Sequence, residues 1–287
     1  MILLITTSKS LLTLDTETEK LSVIHTAMGL YYGITFSETE IFVAARNNDN
    51  PFDYLGKPDE QGVVLVFNAQ LQLTRKITAP FPLRDMHQIM FFDNKLWITC
   101  SADNMVVIYD GNEWQQWYPS PKLADRNSDI NHFNSLWVKN NELHLLAHNL
   151  GREPSVIYRY NYPDKKLIET IALGNQAHNI WTLDNPQEYF SCDSDNGKVI
   201  SSTGKKVALG GFPRGVVITE AHYYIGTSDV AERAERDQVS SKIVQFNNDW
   251  HQIKAFTITG HGQLLDIKAP GINDIAQAIH KGIKLTD

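Results

Sequence analysis

Three side chains that can do chemistry recur at one kind of place in this sequence. His87 opens HQIMFF, His178 opens HNIWTL and Arg214 opens RGVVIT, each a short apolar run. Asn134 opens NSLWVK in the same way, and Tyr32 lies near the start of LYYGITF. His132 precedes Asn134 by two residues, and His261 precedes Gln263 by two. Residues two apart in a strand share a face. If the runs converge, His87, His132, His178 and His261 crowd one polar mouth. Neutral imidazoles ligate zinc, copper, nickel or iron, so one divalent metal ion among these four is an expectation. Failing a metal, His87 or His178 would serve as general base with Tyr32 as the acid. The alternative for each histidine is structural, a bond to the backbone of the neighbouring element.

Substrate contacts are expected from Arg214, Asn134, Arg46, Arg152 and His148, with Arg233 and Arg236 in DVAERAERDQVSS. A guanidinium presents a planar fork to a carboxylate or phosphate. The FPRG context supports Arg214: proline restrains the approach and Gly215 admits a close neighbour. The other reading of AERAERD is a solvated turn whose Glu and Arg pair with each other. SADN (101–104) and CDSDNG (192–197) read as Asx turns at equivalent places; the second lacks the rest of a calcium loop.

The elements that must position these residues form a repeat. IFVAARN (41–47), LWITCSA (96–102), LHLLAHN (143–149), EYFSCDS (188–194) and HYYIGTS (222–228) are short apolar strands ending in polar residues. Each is preceded by one of the runs above and followed by two more strands. The heads His87, Asn134, His178 and Arg214 are 47, 44 and 36 residues apart. Four antiparallel strands in units of roughly 40–50 residues read as propeller blades. MILLITT, SLLTLD and KLSVIH supply three strands of a further blade, and GQLLDIK (262–268) supplies its first. The expected fold is all-β, a single six-bladed β-propeller over 1–287, closed by 1–25 and 262–271. Closure of this kind removes an exposed sheet edge. INDIAQAIHKGIK (272–284) carries helical spacing and is expected as a short C-terminal helix.

On these repeats the chain resembles six-bladed propellers of the NHL, SMP-30/gluconolactonase and virginiamycin-lyase type, most of all uncharacterised bacterial members with histidine at inner-strand starts. The SMP-30 resemblance implies a Glu, two Asn and an Asp around a central divalent ion. Asn134 matches that set in position, and no acidic residue lines up with it.

Composition sets the remaining bounds. Of 287 residues 42% are hydrophobic and 21% charged, which suits a folded core. The net charge of −7 gives no overall basic field for nucleic acid or an anionic membrane. No apolar run approaches the roughly 18–20 residues of a membrane span, and MILLITTSKS lacks the basic start of a signal peptide. Two cysteines, Cys100 and Cys192, are expected free and buried, in a cytoplasmic protein. GxSxG, Walker, GxGxxG and HExxH patterns are absent. The resulting expectation is an enzyme, a metal-dependent lyase, isomerase or hydrolase, acting on a small anionic molecule. The alternatives are a non-catalytic small-molecule sensor and a protein-interaction propeller.

Overall fold

A computed structural model of the chain describes residues 1–47, 59–119, 129–183, 185 and 187–270. Every regular strand in it belongs to one of six four-stranded sheets. Blade one contains Tyr31–Phe36, Ile41–Ala45, Val63–Phe67 and Leu73–Ile77, paired antiparallel in chain order. Blades two to five repeat that order from inner strands Met86–Phe92, Phe133–Lys139, His178–Thr182 and Phe212–Ile218. Blade six takes its inner strand from the far end of the chain. Leu264–Lys268 pairs with Ile2–Thr7, Ile2–Thr7 with Ser10–Asp15, and Ser10–Asp15 with Leu21–Thr26. The expected C-terminal helix at 272–284 lies outside the described residues.

Burial explains why the middle strands read as unbroken apolar runs. Ile41–Ala45 and Val63–Phe67 are buried throughout, because a neighbouring blade covers each face, whereas outermost Leu73–Ile77 is mostly exposed. The core is accordingly divided into clusters between adjacent blades. Trp137, Trp181, Phe190 and Trp250 fill one cluster across blades three to five; Tyr32, Phe42, Ile89 and Ile98 fill another between blades one and two. Cys100 and Cys192 are free and buried in the second strands of blades two and four. Among the described residues no helix is long and apolar enough to cross a membrane.

The six inner strands touch one another in sequence around the axis. A belt of polar ties locks that ring. Asp266 Oδ2 of blade six accepts the Ile34 amide of blade one at 3.1 Å. Gln88 Oε1 accepts the Leu136 amide, Ser135 Oγ the Asn179 amide at 2.9 Å, and Asn179 Oδ1 the Gly215 amide at 2.8 Å. These ties link blades two to three, three to four and four to five. At the two remaining steps the belt residue is glycine and the backbones meet directly. A Cβ on Gly33 would lie 2.6 Å from Ile89 N, and one on Gly215 would lie 2.9 Å from Ile267 N.

Candidate functional site

One residue earlier than each belt residue stands a second ring: Tyr32, His87, Asn134, His178, Arg214 and Leu265. The antiparallel register slips at this point in every blade, for example between Met86 and Ile89 and between Pro213 and Val216. A bulge re-aims a side chain away from the ladder, and here it turns the ring residues towards the axis. The turns that lead into the ring divide the blades. Blades one, five and six enter through Gly29, Gly211 and Gly262, all at positive φ. Blades two, three and four place Asp85 (φ 52°), His132 (φ 50°) and Gln176 (φ 45°) in the same left-handed region. Non-glycine residues there cost about 1 kcal/mol or more. All three line the mouth, as does Leu150 at φ 55°.

The mouth holds about 500 Å³ of space, open solvent included, and a narrower channel continues below it past Asn134. Aromatic rings run unbroken along its wall. Tyr32 meets His87 (centroids 4.6 Å apart), His87 meets His132 (4.5 Å), His132 meets His148 (4.8 Å) and His148 meets His178 (5.2 Å). Phe212 follows His178 at 5.4 Å and lies under the Arg214 guanidinium at 5.9 Å.

Hydrogen bonds fix which nitrogen of each ring carries a proton. His87 Nδ1 is 2.9 Å from the Asp85 carbonyl, so Nδ1 holds the hydrogen and Nε2 a lone pair. His132 Nδ1 lies 2.5 Å from Asp129 Oδ2 and donates to it. His148 is the reverse case: its Nδ1 accepts the Leu150 amide at 3.0 Å, leaving Nε2–H as a donor. Burial above all, then the neighbouring positive groups, holds His87, His148 and His178 well below the usual 6.5, so all three are neutral at pH 7. Asp85 is pushed up to about 6 by burial; Arg46 and His132 oppose that rise. Burial, then Asp85, keeps the Tyr32 phenol protonated.

The structure brings together His87, His132, His178, Tyr32, Arg214 and His148, with Arg233 and Arg236 beside them at the mouth. Asn134 lines the channel beneath and donates to the Ala177 carbonyl at 2.8 Å. Three expected site residues fall elsewhere. His261 sets its Nδ1 3.1 Å from Ser10 Oγ and does not line the mouth; His148 takes its place in the histidine group. Arg152 is exposed beyond the mouth. Arg46 is buried, with Glu60 bonded to its guanidinium (Nε to Oε1 2.7 Å) and Asp85 Oδ1 3.4 Å from Nη1. It braces Asp85 and does not line the mouth, because an arginine so deeply buried must be paired.

Sequence reading missed the carboxylates. Asp85 and Asp129 carry no period of their own; the available signal was their place two and three residues before His87 and His132. Asp85, His87 and His132 each offer a ligand atom within 4.8 Å of the others. In kind, this donor set fits a divalent transition ion: two imidazoles and a carboxylate. The Nδ1–H bonds of His87 to a carbonyl and of His132 to a carboxylate are the outer contacts that ligating imidazoles make.

No family model and no curated protein matches this sequence. Solved structures do. A chain of the nidogen/laminin complex is 12% identical with a TM-score of 0.64, covering 93% of this chain and 97% of that one. A Bacteroides caccae protein of unknown function is 10% identical at 0.64, covering 93% and 97%. The periplasmic gluconolactonase of Pseudomonas aeruginosa is 10% identical at 0.58, covering 93% and 98%. The six-bladed propeller resemblance read from the repeats therefore holds at the level of fold.

Proposed function

We propose that this protein is a hydrolase for a small anionic molecule that enters the mouth from solution. One observation carries the reading: acid–base groups, themselves buried, and an arginine converge on one open-mouthed cavity. Arg214 takes the substrate's anionic group, with Arg236 and Arg233 reinforcing the positive side. His148, with its hydrogen on Nε2, lines the same space and would serve as a neutral donor for a carbonyl oxygen. His87 Nε2, unprotonated because Nδ1–H is committed to Asp85 O, accepts the proton of the attacking water. Tyr32, kept protonated, returns a proton to the leaving oxygen. Asp129 orients His132 on the opposite side. A divalent ion held by Asp85, His87 and His132 would supply that water already acidified; His87 Nε2 would then be a ligand in place of the base. The hydrolase among the structural neighbours supports the same reaction class. We propose a cytoplasmic setting and no nucleic-acid or membrane partner.

The test is a pH-stat assay of carboxylate-bearing esters and lactones, run on untagged protein purified without chelator and analysed for metal. Turnover reduced about 100-fold or more by His87→Gln, with folding intact, is the expected result. Anion binding without turnover, in protein supplied with zinc or manganese, would make the mouth a sensor instead.

A further inference from the structure

His178 has the same place in the ring as His87, yet its surroundings give it a different task. Arg214 Nη2 donates to His178 Nε2. An arginine cannot accept, so that nitrogen must offer its lone pair. The ring proton is therefore on Nδ1, 2.9 Å from Ser194 Oγ. Ser194 in turn donates its one hydroxyl hydrogen to the Pro213 carbonyl at 2.6 Å. Pro213 immediately precedes Arg214. The bonds thus form a closed circuit across blades four and five, all running in one direction; the Cys192 carbonyl is a second, longer neighbour of Ser194 Oγ at 3.4 Å. Phe212 supports the guanidinium from its face.

Blade two builds the same arm without the arginine. His87 Nδ1 lies 3.1 Å from Ser101 Oγ, and Ser101 donates to the Phe133 carbonyl at 2.8 Å. Ser101 and Ser194 each open the short 3-10 turn after a second strand, in SADN and SDNG, which end at left-handed Asn104 and Gly197. The two turns are thus more than chain reversals. Their first residue reaches the ring histidine of its own blade and the backbone of the next. The difference lies at Nε2, which meets Arg214 in His178; His87 lines the mouth.

We propose that His178 and Ser194 are positioning residues for Arg214, and that His178 takes no part in proton transfer or metal binding. Their circuit holds the guanidinium edge that faces the mouth at one angle, which a carboxylate needs for a two-pronged contact. This purpose rests on the reading of Arg214 as the anion contact; the circuit itself does not.

Long-range 1H–15N spectra of histidine-labelled whole protein test the circuit without any ligand. His178 should show a protonated Nδ1 and an unprotonated Nε2 at pH 7. An Nε2–H tautomer or an imidazolium would overturn the proposal. Malonate, as a probe, tests the purpose by calorimetry. His178→Gln retains an acceptor near Nε2 and should bind malonate within about twofold of wild type, whereas His178→Leu should lose about tenfold, as for one charge-assisted bond. Equal loss in both variants would overturn the positioning role. Wild-type protein that ignores malonate but shows the Nδ1–H tautomer would count against the proposed function and leave the circuit standing.

Discussion

Mouth ring and belt are neighbours in sequence and opposites in chemistry. Tyr32, His87, Asn134, His178, Arg214 and Leu265 form the one; Gly33, Gln88, Ser135, Asn179, Gly215 and Asp266 follow them directly in the other. Belt side chains are matched to backbone amides of the next blade, or removed altogether so that backbones touch. Ring side chains face each other across a cavity, and burial shifts their proton affinities. A strand alternates its faces, so one inner strand serves closure and chemistry through consecutive residues. The belt ties blade to blade and, on the proposed function, the ring does the chemistry, so substitutions should separate the two.

The largest effect should come from the belt glycines. Gly33→Ala puts a methyl group against the backbone of blade two, and in a closed ring that backbone has no room to retreat. Overpacking of this kind costs about 1–3 kcal/mol. Gly215→Ala meets blade six in the same way and adds a residue at φ 81°, worth roughly another 1–2 kcal/mol. Urea unfolding should show both variants destabilised, Gly215→Ala the more. Wild-type stability in either would mean that the belt does not bear closure.

Buried histidines should appear instead in the pH dependence of stability. His87, His148 and His178 have folded values below the 6.5 of the unfolded chain, and buried His144 is lowered to about 4. Below about pH 6.5 the unfolded chain binds protons that the folded one refuses, so stability falls as pH drops. Asp85 works the other way. Its folded value of about 6 lies above the ordinary 3.8, so its contribution is complete below 3.8 and is lost as pH rises through 6. Four groups against one leave a net loss of stability between pH 7 and 5. Melting temperatures across that range check it, and His178→Gln should flatten the slope. A protein equally stable at pH 5 and 7 would show that the histidines are already charged in the folded state.

The blades were legible because apolar runs, polar ends and turn residues recur at near-constant spacing, and the positions of His87, His178 and Arg214 followed from that register. His261 was misplaced for a physical reason. The rule that residues two apart share a face holds only within a strand, and Gly260 and Gly262 turn the chain at φ 80° and 74° on either side of it. His132 also sits at a left-handed turn, yet Asp129 draws its ring into the mouth. Arg46 was read as a ligand contact because nothing local shows that Glu60, 14 residues on, reaches back to it. The Asp85–His87–His132 grouping depends on two blades meeting at a bulge, which no single segment records.

The smallest effects mark where the site ends. Arg152 is exposed and outside the mouth, and His261 bonds Ser10 away from the ring histidines. Arg152→Ala and His261→Ala should each change stability by no more than about 0.5 kcal/mol, the usual range for surface positions. Malonate binding and ester turnover should also match wild type. Arginine is a strong anion binder wherever it lies, so Arg152 is the sharper case. If Arg152→Ala weakened malonate binding as much as Arg214→Ala, the anion site would extend over the blade-three loop, and the contrast between a reactive ring and its inert surroundings would have to be drawn further out.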